Sequence, residues 1–291
     1  MILTKKKLVN YFPILTSLKC SKSAFLNILG LQPLRYLLAK FIRFINYMIN
    51  KNKYNFLPNS FFRDGFFIRE NFLTTNQFID LKKEFEQLID TKSKDVWKDV
   101  DHNINSSIKM LTYDFKINKD ERDKYPNLIK LYYNEDINNY FKSAENKKNI
   151  LLYMRVDRVI TLNEKQIDYN GTWHVDTFHD THKAFFYLSD VSVENGPYNL
   201  VKGSQKFSFF RIFWEYKNSI KYSIGKSLIH FILNSRESEN SEKKKIDFPF
   251  QKNTFFMSNT HGFHRRGPAK TGSIRDNITF YTRENPFKIN I

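Results

Sequence analysis

Cysteine is nearly absent from this sequence of 291 residues, and its single thiol, Cys20, excludes an intrachain disulfide and any zinc site built from several cysteines. A reducing compartment fits this usage, and a mechanism based on a thiolate is not expected. Glycine and proline are also scarce, at 9 and 8 residues, whereas Phe occurs 29 times. This composition can form a full hydrophobic core and is not that of a disordered chain.

Acidic residues are missing from the first 62 positions, which contain ten Lys or Arg residues. The formal net charge of the whole chain is +17, so more than half of it lies in this segment. Such asymmetry is typical of a segment that contacts something anionic. We therefore divide the chain into a basic N-terminal helical segment, residues 1–59, and one larger domain, residues 60–291.

Long hydrophobic runs are missing too, and none approaches the roughly 18 apolar residues that a membrane span requires. The stretch 8–18 follows three lysines, as in a signal peptide, but it contains Asn10, Tyr11 and Pro13, and no small-residue cleavage site follows it. We expect an unprocessed segment and a cytoplasmic protein.

A helix is predicted in the basic segment, because apolar residues recur at three- and four-residue spacing from Leu34 to Met48 and Pro33 suits a first helical turn. Such a helix either lies on an anionic membrane surface or packs its apolar stripe onto the larger domain. Apolar stripes of globular proteins usually face a core, so the second interpretation is favoured. Peripheral contact with a membrane is the alternative.

Helical patterns precede strand patterns in the larger domain. After a short β-like run at 63–68, Thr74 and Gln77 form a capping-box pattern that begins a helix. Residues 91–148 are polar and irregular, with one helix predicted near 128–140. A helical insertion at 210–235 and a charged loop at 236–245 interrupt a series of four strands, predicted at 150–160, 184–191, 254–258 and 274–281. The fold class is α+β, with an antiparallel β domain.

The tripeptide His174-Val175-Asp176 places an imidazole and a carboxylate two residues apart. Residues two apart in an extended segment project to the same side, so both can bind one metal ion. A distant second histidine would complete the 2-His-1-carboxylate face of non-haem Fe(II) oxygenases, which leaves the opposite positions open. His261 and His264 compete for that place. The tripeptide alone is a weak signal, because His and Asp often fall two apart by chance.

Arg275 lies eleven residues after His264, within a predicted strand. A chelated 2-oxoacid needs a cation for its distal carboxylate, and the planar guanidinium of Arg can bind a carboxylate with two hydrogen bonds. The alternative is an ordinary structural Arg that pairs with Asp276 or another acid.

Three segments resemble the phytanoyl-CoA dioxygenase family. The first runs from Trp173 to Lys206 and contains, in order, the H-x-D tripeptide, LSDV, ENGP and a Gly-Ser turn. The second, HGFHRRGPAKTGSIRDNITFYTR, resembles the family's distal His and its 2-oxoglutarate-binding Arg. The third, RDGFFIRENFLTTNQFIDLKKEFEQL, resembles the family's opening strand and helix. The likeness spans roughly residues 60 to 285, and several ordered matches are more specific than any one of them.

The resemblance implies a double-stranded β-helix core, also called a jelly roll or cupin-like fold, flanked by helices. It implies iron ligation by His174, Asp176 and His264, and binding of the C5 carboxylate of 2-oxoglutarate by Arg275. His264 is favoured over His261, because the family's ligand directly precedes a basic-Gly-Pro turn.

The activity that the resemblance implies is that of an Fe(II)- and 2-oxoglutarate-dependent dioxygenase. It would use O2 to hydroxylate a small-molecule, lipid or acyl substrate and would release succinate and CO2. Asp176 favours hydroxylation or desaturation, because halogenating relatives lack this carboxylate.

The sequence departs from the family at Arg266, where many members have a small hydroxyl residue that assists with the cosubstrate. Thr260 and Ser273 are both candidates to replace it. Tyr153 and Arg155, on the strand before the H-x-D tripeptide, are candidates for contact with 2-oxoglutarate or substrate.

Weaker candidates remain around this motif. Lys183 and Tyr187 are the least supported cavity residues. His179 and His182 could form a different metal site with His174, but we interpret them as pocket-lining or surface residues. The insertion 210–245 is interpreted as a lid or substrate-binding wall. Two other histidines, His102 and His230, are interpreted as structural or surface residues.

Two other functions remain as alternatives. The basic charge suggests, as one alternative, a nucleic-acid demethylase of the same superfamily. Tyr281 stands where those enzymes usually carry a second Arg, so a nucleic-acid partner is not expected. The other is a non-catalytic membrane- or nucleic-acid-binding protein on an oxygenase scaffold. The intact set of ligands and Arg275 argue against it.

Overall fold

The computed structural model describes residues 13–17, 19–50, 53–92, 97–99, 108–115, 117–165, 169–226 and 232–289. The described helices are α1 (Pro13–Thr16), α2 (Ala24–Ile28), α3 (Leu31–Asn50), α4 (Asn59–Asp64), α5 (Thr75–Lys92), α6 (Lys119–Lys124), α7 (Pro126–Tyr132), α8 (Glu135–Glu145), α9 (Phe209–Ser223) and α10 (Ser235–Glu242). The described strands are β1 (Phe66–Arg69), β2 (Trp97–Asp99), β3 (Ile108–Asp114), β4 (Leu152–Thr161), β5 (His182–Tyr187), β6 (Tyr198–Val201), β7 (Lys245–Phe248), β8 (Thr254–Asn259), β9 (His264–Arg266) and β10 (Ile274–Thr282).

The strands form two antiparallel sheets. The larger has the order β1-β8-β5-β10-β4-β3-β2, and the smaller has the order β7-β6-β9. In the larger sheet β10 pairs with β4 from Ile274↔Ile160 to Thr282↔Leu152. Side chains of both sheets share one buried cluster, in which Tyr187 of β5 and Phe256 of β8 meet Leu200 of β6. The two sheets therefore pack face to face as a jelly roll.

The outer face of the larger sheet carries the main hydrophobic core. Phe85 of α5 and Phe141 of α8 pack there against Val156 of β4 and Ile278 of β10. Because side chains alternate across a strand, the neighbours of these core residues project to the inner face, toward the smaller sheet. Polar residues on β4 and β10 are thereby directed between the two sheets.

Most local predictions in the larger domain are confirmed. The four predicted strands correspond to β4, β5, β8 and β10, although β5 begins at His182. The capping box is present, since the Gln77 side chain accepts from the Thr74 N–H at 3.1 Å and the Thr74 hydroxyl accepts from the Gln77 N–H at 3.4 Å.

Two local predictions are wrong. The irregular region 91–148 contains β3, which pairs with β4 over seven residues, and several helices instead of one. The predicted charged loop 236–245 is mostly helix α10, which begins with a capping box between Asn234 and Glu237. In the first case the strand forms because a sheet edge is available to it. In the second case the capping signal was present in the sequence and was missed.

Helix α3 forms as predicted and packs against α9. The favoured interpretation of its orientation is wrong, however, because its apolar stripe faces away from the domain. The exposed residues include Leu34, Leu37, Phe41, Phe44 and Met48.

Half of the buried residues of α3 are polar, namely Gln32, Arg35, Asn46 and Asn50, and polar contacts favour this orientation. The Lys40 ammonium lies 2.8 Å from an Asp180 carboxylate oxygen, and the Gln32 amide donates to Glu215 at 3.2 Å. Polar contacts with the domain thus select the face that packs. The division of the chain at residue 59 stays a prediction. None of the described helices is both long enough and apolar enough to cross a lipid bilayer.

Candidate metal centre

Three side chains predicted to bind iron converge between the sheets. The segment around His174 is extended and forms an antiparallel bridge with His264 at the start of β9. The Asp176 N–H donates to the Thr260 carbonyl at 3.1 Å, which holds the same segment against the chain just before β9. Trp173 and Val175, the alternate residues, are buried in a separate apolar cluster, so His174 and Asp176 project the other way.

The ligand atoms of the three side chains lie within 4.8 Å of one another. Oδ1 of Asp176 is 3.9 Å from Nε2 of His174 and 3.8 Å from Nε2 of His264. Each imidazole directs its other nitrogen at a main-chain carbonyl, with 2.7 Å from Nδ1 of His174 to Thr172 and 2.9 Å from Nδ1 of His264 to Gly262. A carbonyl only accepts, so Nδ1 carries the proton and the Nε2 lone pairs converge toward Asp176, as metal ligation requires.

The electrostatics of the centre match those of a metal site. Burial alone would raise the pKa of Asp176, but Lys183, His264 and His174 outweigh it and hold the pKa well below its usual range. The Lys183 ammonium lies 2.7 Å from Oδ2, the oxygen that does not face the histidines. Burial, followed by the charge of His174, lowers the pKa of His264 to about 3. Near neutral pH the carboxylate is ionised and the His264 imidazole is neutral, the protonation states in which both bind a metal ion.

A cavity of about 130 Å³ adjoins the three side chains. Its wall also includes residues from β3, β4, β5, β6, β9 and β10, namely Met110, Arg155, Asp157, Val159, Lys183, Phe185, Tyr187, Tyr198, Arg266, Arg275 and Asn277. Asn170 and Thr260, which lie outside the strands, complete the wall. The cavity is therefore lined by both sheets with polar and apolar side chains, and it has an excess of basic side chains over acidic ones.

Arg275 lies in this wall, on β10. Its Nη1 donates to the Gly196 carbonyl, in the ENGP segment. Its Nε is buried and has no hydrogen-bond partner among the described residues. A carboxylate in the cavity would satisfy such a donor, since a buried N–H without a partner costs free energy.

Of the other residues predicted to line the cavity, some do so in the structure and others do not. Arg155 lines the cavity and donates to Asp157 at 2.8 Å, whereas Tyr153 is not part of the wall and its ring stacks on Tyr281 with centroids 5.3 Å apart. Thr260 lines the cavity, whereas the Ser273 hydroxyl donates to Thr161.

The other described histidines lie outside this wall. His261, the rival ligand, stacks on Tyr36, and its Nδ1 lies 3.1 Å from the Arg211 guanidinium. His182 lies 2.8 Å from Glu145, and His179 is buried. His102 and His230 lie outside the described residues, and the described part of the insertion 210–245 contributes no residue to the wall.

Sequence reasoning missed several residues of the wall. Tyr198 stacks on the His264 ring with centroids 5.4 Å apart and planes 12° apart, and Phe185 and Asn277 line the cavity. The two-residue alternation of the strands was a usable signal, because Phe185 is two residues from Lys183 and Asn277 is two residues from Arg275. Tyr198 gave no such signal, since its position follows from the packing of the smaller sheet.

Comparisons with known proteins define the fold. No family model matches the chain, and no curated protein matches it. Among solved structures, the chain is similar to the non-heme alpha ketoglutarate dependent epimerase SnoN from nogalamycin biosynthesis, with a TM-score of 0.52, 14% identity, and coverage of 78% of this chain and 80% of SnoN. It is also similar to EctD from S. alaskensis with bound Fe, with a TM-score of 0.52, 13% identity, and coverage of 80% and 79%. The predicted fold, a double-stranded β-helix of the kind found in iron- and 2-oxoglutarate-dependent enzymes, is confirmed.

Proposed function

We propose that this chain is an Fe(II)- and 2-oxoglutarate-dependent oxygenase whose metal is held by His174, Asp176 and His264. The observation that carries the proposal is the convergence of their three ligand atoms within 4.8 Å, beside a cavity that also contains Arg275. Two imidazoles and one carboxylate are the ligands of the facial triad of non-haem Fe(II) oxygenases. The family resemblance of the sequence and the similarity to SnoN and EctD point in the same direction.

When bound, iron and 2-oxoglutarate would supply oxidative decarboxylation to succinate and CO2, coupled to oxidation of a substrate C–H bond by O2. The protein's own residues bind and orient these partners. The main-chain contacts of both Nδ1 atoms fix the imidazoles in the tautomer that presents Nε2. Lys183 holds Oδ2 of Asp176, so that Oδ1 faces the two histidines.

Arg275 is proposed to bind the C5 carboxylate of 2-oxoglutarate. Its buried Nε is available for a new hydrogen bond, and a guanidinium can form two with one carboxylate. Arg155 is a second candidate for contact with the cosubstrate or the substrate, because it lies in the same wall, although Asp157 already accepts from it. Tyr153 is the weaker member of the predicted pair, since its ring packs against Tyr281.

The reaction proposed is hydroxylation of a small molecule or acyl compound that carries an acidic group. Four basic residues line the cavity, Arg155, Lys183, Arg266 and Arg275, against the acids Asp157 and Asp176. Arg155 is paired with Asp157 and Lys183 with Asp176, so after Arg275 has bound 2-oxoglutarate the excess of positive charge in the wall is that of Arg266, which favours an anionic substrate. Membership of the phytanoyl-CoA dioxygenase family is proposed on the ordered motifs of the sequence.

An anaerobic titration of the purified protein tests this function. Addition of Fe(II) and then 2-oxoglutarate is expected to produce a metal-to-ligand absorption band, and admission of O2 is expected to yield succinate. In the His174→Ala variant both signals should disappear. In the Arg275→Ala variant iron should still bind, while a much higher concentration of 2-oxoglutarate is needed for the band. Succinate formation that persists unchanged in His174→Ala would end the proposal. If the titration gives the expected result, screening small organic acids for faster O2 uptake would narrow the range of candidate substrates.

A further inference from the structure

The apolar stripe of α3 lies on the surface of the protein. Its Phe41 and Phe44 side chains are 60% and 58% exposed, and Leu34, Leu37, Tyr47 and Met48 are exposed as well. These residues follow the three- and four-residue spacing of one helix face. Monomeric soluble proteins rarely expose a large continuous apolar patch, and such patches mark sites of protein or membrane interaction.

Two helices that pack against α3 also expose apolar side chains. Helices α2 and α9 both pack against α3 and against each other, and the three are called the helix layer below. On α2, Phe25 is 69% exposed, and on α9, Phe209 and Phe213 are 83% and 64% exposed. Phe207, just before α9, is exposed and stacks on the buried ring of Tyr36 with centroids 6.3 Å apart, so the start of α9 lies against α3.

The same layer has no exposed acidic residue of its own. Positions 1–62 contain none, and within 201–226 the one acidic residue is Glu215, which is fully buried and 3.0 Å from the Arg211 guanidinium. Lys40 and Arg43 of α3 pair with Asp180, and Lys217 of α9 lies 3.9 Å from Glu237. The exposed Lys22, Lys206 and Lys226, beside the layer, form no ion pair with an acid among the described residues. Exposed aromatic and aliphatic side chains are thus combined with unneutralised positive charge.

We propose that the helix layer docks the protein onto an anionic lipid bilayer, with α3 lying along the interface. A helix of 20 residues is about 30 Å long, so α3 offers an extended apolar edge to the acyl chains while the lysines meet the lipid phosphates. The occupant is a membrane and not a second copy of the chain, because two copies would face each other with like charge and no acid to pair with it. Leu34, Leu37 and Met48 have no ring to stack on a base, which disfavours single-stranded nucleic acid.

This docking does not depend on iron chemistry. The inner side of α3 packs, through Ala39 and Ile42, into the apolar cluster that contains Trp173 and Val175, whose neighbours His174 and Asp176 face the cavity. A docked layer would therefore lie behind the segment that carries the ligands and would leave the cavity uncovered.

Flotation of the full chain with unilamellar vesicles tests the proposal directly. Vesicles of phosphatidylcholine alone are compared with vesicles that also contain about 30 mol% phosphatidylserine, a fraction that gives a strongly negative surface. Association is expected to be at least about tenfold stronger with the anionic vesicles and to weaken as NaCl is added. Equal association with both kinds of vesicle, or none with either, would overturn the proposal.

Two matched sets of substitutions locate the surface. The first set is Phe41→Ser, Phe44→Ser and Phe209→Ser, and the second is Leu151→Ser, Leu162→Ser and Val193→Ser, which are exposed positions elsewhere on the protein. The first set is expected to weaken vesicle association at least about tenfold, because each inserted Phe contributes roughly the free energy of a buried apolar side chain. The second set is expected to leave association unchanged, and both should retain wild-type circular dichroism.

Three results would contradict the assignment of this surface. One is an equal loss of vesicle association in both sets. Another is a concentration-dependent dimer that the first set abolishes, without vesicle association by the wild type, which would make the layer a contact between two copies. The third is binding of the wild type to a single-stranded oligonucleotide but not to vesicles.

Discussion

His174 and His264, 90 positions apart in the chain, exchange both of their main-chain hydrogen bonds. Each N–H donates to the other residue's carbonyl at 3.0 Å, and the two ring centroids lie 4.4 Å apart. Strand pairing therefore holds the two imidazoles next to each other. A site arranged in advance in this way should lose its metal, but not its fold, when one imidazole is removed.

His264→Ala is expected to lower Fe(II) or Ni(II) affinity at least about 100-fold, because one of three protein ligands is lost. His261→Ala, three positions away, should leave metal affinity unchanged within about threefold. It should lower the free energy of unfolding by about 2 kcal/mol, because the buried Arg211 guanidinium loses a contact. Isothermal titration and urea denaturation measure the two effects. The opposite pattern would assign the ligand to His261.

Arg275→Ala is expected to raise the KM for 2-oxoglutarate at least about 30-fold, since a charge-assisted pair of hydrogen bonds contributes about 2 kcal/mol. Activity with 2-oxobutanoate, which lacks the distal carboxylate, should change little, so the preference for 2-oxoglutarate should collapse. Arg155→Ala provides the comparison, because Arg155 lines the same cavity. An equal loss of that preference in both variants would mean that Arg275 is not the specific anchor.

Tyr198→Ala is expected to weaken metal binding about tenfold, because the ring that stacks on His264 at 5.4 Å holds the imidazole in place. Its removal should also destabilise the protein by about 3 kcal/mol through the cavity left in the buried cluster. Tyr198→Phe keeps the ring and loses the 3.2 Å hydrogen bond to Ser258, so its metal affinity should stay close to that of the wild type. Comparable loss in both variants would assign the effect to the hydroxyl.

The metal-free protein is expected to lose stability as the pH falls below about 6.5. Burial lowers the pKa of His179 to about 4 and that of His264 to about 3, and it holds the pKa of His261 well below its usual range. As the pH falls, the unfolded chain therefore takes up protons on these histidines before the folded protein does. Each such histidine lowers the free energy of unfolding by about 1.4 kcal/mol for every pH unit of the fall. The depressed carboxylate pKa values of Asp176 and Asp180 add to the loss only below about pH 5.

Urea denaturation in the presence of a chelator, at several pH values between 7 and 5, measures this slope. His179→Gln removes one of the titrating groups and is expected to flatten the slope by about 1.4 kcal/mol per pH unit below about pH 6. A free energy of unfolding that does not change between pH 7 and 5 would contradict the protonation states described for these histidines.

The sequence by itself determined the features that depend on local periodicity and on the order of motifs along the chain. The strands β4, β8 and β10 were predicted because alternating β-branched and aromatic residues are read over a few positions. The same short range identified the H-x-D tripeptide and the capping box at Thr74. The resemblance supplied His264 and Arg275, because motif order along the chain survives when overall identity is low.

Only the tertiary structure decided the features that depend on which segments meet. The bridge between His174 and His264 places the imidazole of His264, and not that of His261, beside His174. Packing of β6 brings the Tyr198 ring onto the His264 ring. The outward orientation of the α3 stripe could not be predicted from its spacing, because a period of 3.6 residues defines two faces and not which one packs. Here an ion pair with Asp180 and a hydrogen bond with Glu215 help to select the face that packs, since partners distant in sequence become neighbours only on folding.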